Sequence, residues 1–141
     1  MRTVTAAIAL FLILSSCATQ SARIEPEDVS GEPDKFCTVI NEPDPILMGG
    51  WECDFTRFLM KKGEYDYNPI AYWLVKRGDR YALYFYRTAH QGQKSYTGWK
   101  AWTIDGSQIY SDTGVRIFTE DGRVYFSFQN YSPVQMTRFA D

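Results

Sequence analysis

The chain has 141 residues and a formal net charge of −2 at pH 7. That length suits one domain with a modest core rather than two, and the near-neutral balance gives no bulk attraction to nucleic acid. The one histidine and three cysteines include no close Cys-x-x-Cys pair of the kind that structural zinc sites use.

The chain opens with a positive start at Arg2, an apolar run over residues 6–14 and then small residues, the layout of a secretory signal. Nine residues at ~1.5 Å each cannot cross a ~30 Å hydrocarbon core, so the run is not a membrane span. It ends in Leu14-Ser15-Ser16-Cys17, which resembles the lipobox of bacterial lipoproteins. The resemblance implies cleavage after residue 16, lipidation of Cys17, and permanent attachment by several acyl chains, each contributing about 0.8 kcal/mol per buried CH₂. Ala18 follows the cysteine in place of the aspartate that signals inner-membrane retention in many Gram-negative lipoproteins. In such a host the expected location is therefore the outer membrane, facing the periplasm.

Residues 17–36 are expected to form a disordered, solvated acidic tether. They contain Pro26 and Pro33, show no apolar periodicity, and could reach roughly 60 Å if extended. From residue 18 to residue 45, seven acidic side chains (Glu25, Glu27, Asp28, Glu32, Asp34, Glu42, Asp44) face only Arg23 and Lys35. Residues 37–48 form an ordered lead-in, with the turn-rich Asn41-Glu42-Pro43-Asp44-Pro45. With Cys17 lipidated, Cys37 and Cys53 remain as a pair in an oxidising compartment. A Cys37–Cys53 disulfide is expected, stabilising by about 3 kcal/mol. A redox or metal pair would need the close Cys-x-x-Cys spacing, which is absent.

Residues 49–141 read as an all-β domain: short aromatic and β-branched runs near 51–58, 70–76, 80–88, 96–104, 108–111, 115–120, 123–129 and 134–139. Arg77-Gly78-Asp79, Asp105-Gly106 and Asp121-Gly122 mark hairpins, and no long amphipathic helix stripe occurs. About eight antiparallel strands in sequence order most economically close into a small up-and-down barrel, which removes sheet edges. Alternation places Trp51, Cys53 and Phe55 inside, with Val115, Ile117, Val124, Phe126, Phe128, Val134 and Met136. Strands two to four do not sort: Ile70, Tyr72 and Leu74 oppose Ala71, Trp73 and Val75, and Tyr81, Leu83 and Phe85 oppose Ala82, Tyr84 and Tyr86. Something besides a single core must cover that second face.

Gly49-Gly50-Trp51 is similar to the Gly-x-Trp that opens lipocalins and related calycin barrels. In that family an arginine near the last strand packs across the tryptophan, and Arg138 shares the parity of Met136 and Val134. The resemblance implies a Trp51–Arg138 barrel-closing pair and a cup for a small apolar ligand, although strands this short leave an interior that side chains could fill. Length, anchoring and cysteine use are also similar to small lipoprotein barrels that inhibit lysozyme. Their Ser-Gly-x-x-Tyr loop is replaced here by Ser95-Tyr96-Thr97-Gly98-Trp99.

Catalysis is not expected. His90 lies alone in a polar loop, no base and orienting group accompany a nucleophile, and Glu52 and Asp54 read as ordinary outward carboxylates rather than a glycosidase pair. No glycine-rich phosphate loop precedes a helix, and no cofactor is implied. The remaining signal is aromatic: Trp73, Tyr84, Tyr86, Trp99 and Trp102, with basic residues nearby, are the candidate ligand- or partner-binding residues. Such a surface suits a protein, a glycan or an anionic head group, or else the rings fill and cover the barrel. Basic and aromatic residues also suit single strands, but an exported lipoprotein rarely meets nucleic acid. The expectation is a membrane-anchored, non-catalytic envelope protein that binds a small apolar ligand or an envelope protein. A periplasmic enzyme inhibitor inserting residues 61–68 or 88–94 is the alternative, together with a structural part of an outer-membrane complex.

Overall fold

The computed structural model describes residues 24–59, 64–88, 94–96 and 100–141, without the side chains of 56–59, 64–68, 88, 94 and 95. The domain is all-β. Its strands are β1 (Thr38–Asn41), β2 (Gly49–Leu59), β3 (Glu64–Arg77), β4 (Arg80–Thr88), β5 (Lys94–Tyr96), β6 (Trp102–Asp105), β7 (Gln108–Ser111), β8 (Val115–Glu120), β9 (Arg123–Phe128), β10 (Val134–Gln135) and β11 (Thr137–Ala140). Two short 3₁₀ turns, Pro26–Val29 and Pro45–Leu47, precede β1 and β2.

Among the described residues the strands pair as two sheets instead of the single up-and-down barrel expected. The six-stranded sheet has the order β1-β6-β7-β8-β9-β10 and the five-stranded sheet β11-β2-β3-β4-β5. The reason lies in the run 96–104, expected to be one strand. Its start pairs with β4 and its end with β7, and between them the chain is pinned elsewhere. Ala101 exchanges hydrogen bonds with Asp112 in the β7–β8 turn, its N–H reaching Oδ1 at 3.2 Å and its carbonyl accepting from the Asp112 N–H at 3.1 Å. Buried Lys100 donates to the Thr113 hydroxyl.

Two seams join the sheets. Residues 134–140 leave the six-stranded sheet as β10, turn at buried Met136 and enter the other sheet as β11 beside β2. On the other side the Cys37 N–H donates to the Tyr81 carbonyl of β4 at 2.8 Å, and the chain then runs on as β1, parallel to β6. A parallel pair was not anticipated, because it arises from a segment outside the hairpin series.

The hairpins follow the local chemistry read from the sequence. Asp121 and Gly122 both take positive φ (51° and 74°), the type I′ geometry that suits the twist of β8 and β9. The core between the sheets holds Trp51, Phe55, Ile70, Tyr72, Leu74, Leu83, Phe85, Trp102, Ile104, Ile109, Ile117, Val124 and Phe126. Phe85 lies between Trp102 (5.3 Å) and Phe126 (6.2 Å), and Phe55 meets Phe126 edge-on at 5.3 Å.

Ala71, Ala82, Tyr84 and Tyr86, the opposite parity of β3 and β4, form a second buried cluster with Ile24 and Val29. Residues 24–36, expected to be a solvated tether, instead lie across the outer face of the five-stranded sheet as a strap. Isolated apolar residues in an acidic segment are enough for this: Ile24 retains 1 % of its exposure, Val29 9 %, and Phe36 packs against the same cluster. This strap covers the second apolar face that alternation had left unexplained.

Candidate functional site

The glycine pair before Trp51 is explained by close approach. A Cβ on Gly49, at φ +86°, would stand 2.6 Å from the Ala140 carbonyl, and one on Gly50 2.6 Å from the Phe139 ring. Arg138 pairs directly with Trp51 across β11 and β2, and its guanidinium carbon lies 4.4 Å from the centre of the indole ring. Its Nη2 donates to the Ile46 carbonyl (3.0 Å) and its Nη1 to that of Met48 (2.9 Å). Trp51 Nε1 donates to the same Met48 oxygen at 3.3 Å, and the Tyr72 hydroxyl to the Leu47 carbonyl at 2.9 Å. Three side chains thus hold the turn Pro45–Leu47 over one end of the core, with Leu47 fully buried beneath it. Burial pushes the Tyr72 hydroxyl pKa far up, the nearby Arg138 charge opposing it. This end of the core is thereby stoppered.

The expected Cys37–Cys53 disulfide is not formed; both thiols are free. The sheet register separates them. Cys53 stands in the row of Ile70 and Arg87, while Cys37 joins β4 at Tyr81 and its sulfur meets the backbone of Leu83. That offset of four to six residues is roughly 13–20 Å along a strand, and a disulfide needs Cα atoms within about 7 Å. Burial raises the Cys37 thiol to about 12, against a smaller opposing effect of the Leu83 backbone. Burial, reinforced by the charges of Asp54 and Glu52, takes Cys53 to about 12 as well. Both are inert, protonated thiols at neutral pH.

The five aromatic residues nominated for binding do not form one surface. Trp102 belongs to the inner core, and Tyr84 and Tyr86 lie beneath the strap on the opposite face. Trp73 is half-buried against Phe139 at 5.8 Å, and Trp99 lies outside the described residues. The Tyr84 hydroxyl donates to the Gly31 carbonyl at 2.7 Å, and Arg77 donates both to the Val29 carbonyl and to Tyr84 Oη (3.3 Å). Arg80 stacks on Phe36 at 3.8 Å. Of the aromatic and basic residues that suggested a partner surface, Tyr84, Tyr86, Arg77 and Arg80 are thus engaged by the protein's own residues 24–36.

A different surface carries half-buried aromatics beside an exposed arginine. On the outer face of the six-stranded sheet, Phe118 of β8 stacks on Tyr125 of β9 at 5.4 Å, and Arg116 lies 4.2 Å over the Phe118 ring. Arg116 also donates to the Gln108 side chain at 3.2 Å, and Tyr110 stands directly opposite Arg116 in the register. Arg116 is exposed, and Tyr110, Phe118 and Tyr125 are half-buried. At the edge of this sheet β1 displays Val39 (38 % exposed) and Ile40 (59 %). Sequence reading passed over this ladder, although its signal was available: Phe118 and Tyr125 are large aromatics at the outward parity of strands whose inward parity was already filled.

No family model, curated protein or solved structure matches the chain. The reading of the site therefore rests on its geometry. Among the described residues no group of three His, Cys, Asp or Glu side chains is placed to hold a metal ion. Cys17 and His90 lie outside the described residues, as do 61–63 and 89–93 of the two candidate insertion loops; 64–68 belong to β3.

Proposed function

We propose that this chain is a lipid-anchored, non-catalytic protein of the bacterial envelope whose β domain binds a protein partner through the outer face of its six-stranded sheet. The observation that carries this reading is the Tyr110, Arg116, Phe118 and Tyr125 ladder on β7, β8 and β9, in the sheet whose edge strand β1 exposes Val39 and Ile40. Tyrosine and arginine combine apolar area with polar tips and are favoured at interfaces. The small-ligand alternative has less support, because the space between the sheets is filled by aromatic and aliphatic side chains and one end is closed by Leu47. The Trp51–Arg138 stack supports an architecture like that of lipocalins in its end-closure, with a packed interior in place of a cup.

Photo-crosslinking in intact cells tests this. A photoreactive phenylalanine analogue at position 118 or 125 is expected to give one discrete higher-mass adduct, abolished by Arg116→Glu. Absence of any adduct from these positions, with capture instead of a small apolar molecule by the purified domain, would reverse the reading in favour of ligand carriage.

A further inference from the structure

Strand β1 is the outermost strand of the six-stranded sheet, and among the described residues only β6 pairs with it. Sheet edges are usually blunted by charge, proline or brevity. The other three edges follow that rule: β10 has two residues, β5 has three and carries Lys94, and β11 carries Arg138. All four residues of β1 are exposed and uncharged, and Val39 and Ile40 are two of the three exposed large hydrophobic residues among those described. The edge is also held in place. Asn41 Nδ2 donates to Asp105 Oδ1 at 2.6 Å, the Asn41 carbonyl accepts from the Gly106 N–H at 3.1 Å, and the Asp44 N–H donates to the Gly106 carbonyl at 2.9 Å. We propose that β1 is a self-association edge, pairing antiparallel with β1 of a second copy to join two six-stranded sheets into one continuous sheet.

The strand itself selects the occupant. Charge is polarised along it: Lys35 precedes it and Arg80 stacks on Phe36 at the Thr38 end, while Glu42 and Asp44 follow it and Asp105 pairs with Asn41 at the other end. Asp34 does not offset the basic end, because it lies against Tyr96 of β5. An antiparallel copy sets each basic end beside an acidic one, whereas a parallel copy would set like against like. The bulge between Val39 and Asn41 fixes the face. Thr38 pairs with Thr103 and Asn41 with Asp105, and these two residues of β6 share the outward parity, so Thr38 and Asn41 lie on one face of the sheet. A two-fold axis perpendicular to the sheet then places Thr38 opposite Asn41 of the second copy and Val39 opposite its Ile40, covering apolar area in both. Such a contact is isologous and closes at two copies. Pro43 follows the strand and the opposite edge, β10, has only two residues, so pairing does not propagate. Thr38 shares a row with Thr103, Tyr110 and Arg116, so the joined sheet would present both Arg116 ladders on the same side.

The test traps the pairing covalently in the full-length chain, made in one cell as two differently tagged copies. One copy carries Thr38→Cys and the other Asn41→Cys; after mild oxidation dimers are counted on a non-reducing gel, with the native chain as background. In the antiparallel pair Thr38 stands three residues, roughly 10 Å, along the strands from Thr38 of the second copy, beyond the ~7 Å that a disulfide spans. Mixed-tag dimers are therefore expected to exceed same-variant dimers roughly tenfold and to fall severalfold when Ile40→Lys is added to both copies. They should persist with Arg116→Glu, which separates this result from the role proposed for the ladder. Dominant self-pairing of the Thr38→Cys copy would mean a parallel arrangement and overturn the proposal, as would the absence of dimers above background. Asn41→Cys loses the bond to Asp105; should it impair folding, a photoreactive phenylalanine analogue at position 40 takes its place. An adduct between two copies is then expected, and no adduct, or one with another protein alone, would refute the second copy as occupant.

Discussion

Arg138 shows how one side chain can organise an end of the fold. It stacks on Trp51 and donates to two carbonyls of the turn over the core. Arg138→Ala removes the guanidinium donor from both carbonyls, leaving that of Met48 to Trp51 Nε1 alone, and removes the cation–π contact, for an expected loss of about 1–3 kcal/mol. Arg138→Lys should recover only part of it, because an ammonium group lacks the planar fork. Urea midpoints of the two variants check both expectations. Gly49→Ala should be worse tolerated than an ordinary strand substitution, since it combines a positive φ with a Cβ set against a backbone oxygen; a thermal midpoint equal to that of the native protein would contradict this.

The two thiols give a pH dependence whose sign is fixed by burial. Both ionise near 9.0 when exposed and near about 12 when folded, so the unfolded chain loses its protons first. Their contribution to stability is fully present below pH 9 and is lost as pH rises from 9 toward 12. A urea midpoint that falls over this window, together with slow reaction of the native protein with a thiol reagent and fast reaction once unfolded, is the expected result. The cysteine count suggested a disulfide, and alternation rightly placed Cys53 against the core. Their separation along the strands depends on register, which pairing partners distant in sequence decide.

At the scale of elements, the inward and outward parities of β2, β8 and β9, and the hairpins at Gly78, Gly106 and Asp121-Gly122, were legible, because period-two alternation and turn chemistry act locally. The parallel β1–β6 pair was not, since nothing within Thr38–Asn41 specifies which strand it joins. Nor was the break between β5 and β6, which depends on Lys100 and Ala101 meeting the β7–β8 turn. The exposed edge of β1, with Val39 and Ile40 outward, is a template for further strand pairing. Ile40→Lys should therefore lower any concentration-dependent association seen by light scattering while leaving the thermal midpoint nearly unchanged.

At the scale of the molecule, two apolar faces on β3 and β4 announced that a cover must exist, and they also suggested a binding surface. The cover was hard to see because it lacks every periodic signal: it is acidic, contains two prolines, and contributes Ile24, Val29 and Phe36 at intervals that fit neither a helix nor a strand. Its docking converts Tyr84 and Tyr86 of the predicted site into internal packing, while the Arg116 ladder lies on the far side of the sandwich.

That exchange of faces is tested most directly by comparing the soluble domain spanning 24–141 with one spanning 37–141. Burial of Ile24 and Val29 at about 1.5–3 kcal/mol each makes the shorter domain roughly 3–6 kcal/mol less stable in urea, with new binding of a hydrophobic dye where Ala71, Tyr84 and Tyr86 become exposed. Equal urea midpoints and no added dye binding would mean that residues 24–36 do not cover the sheet, and that its aromatic face is free after all.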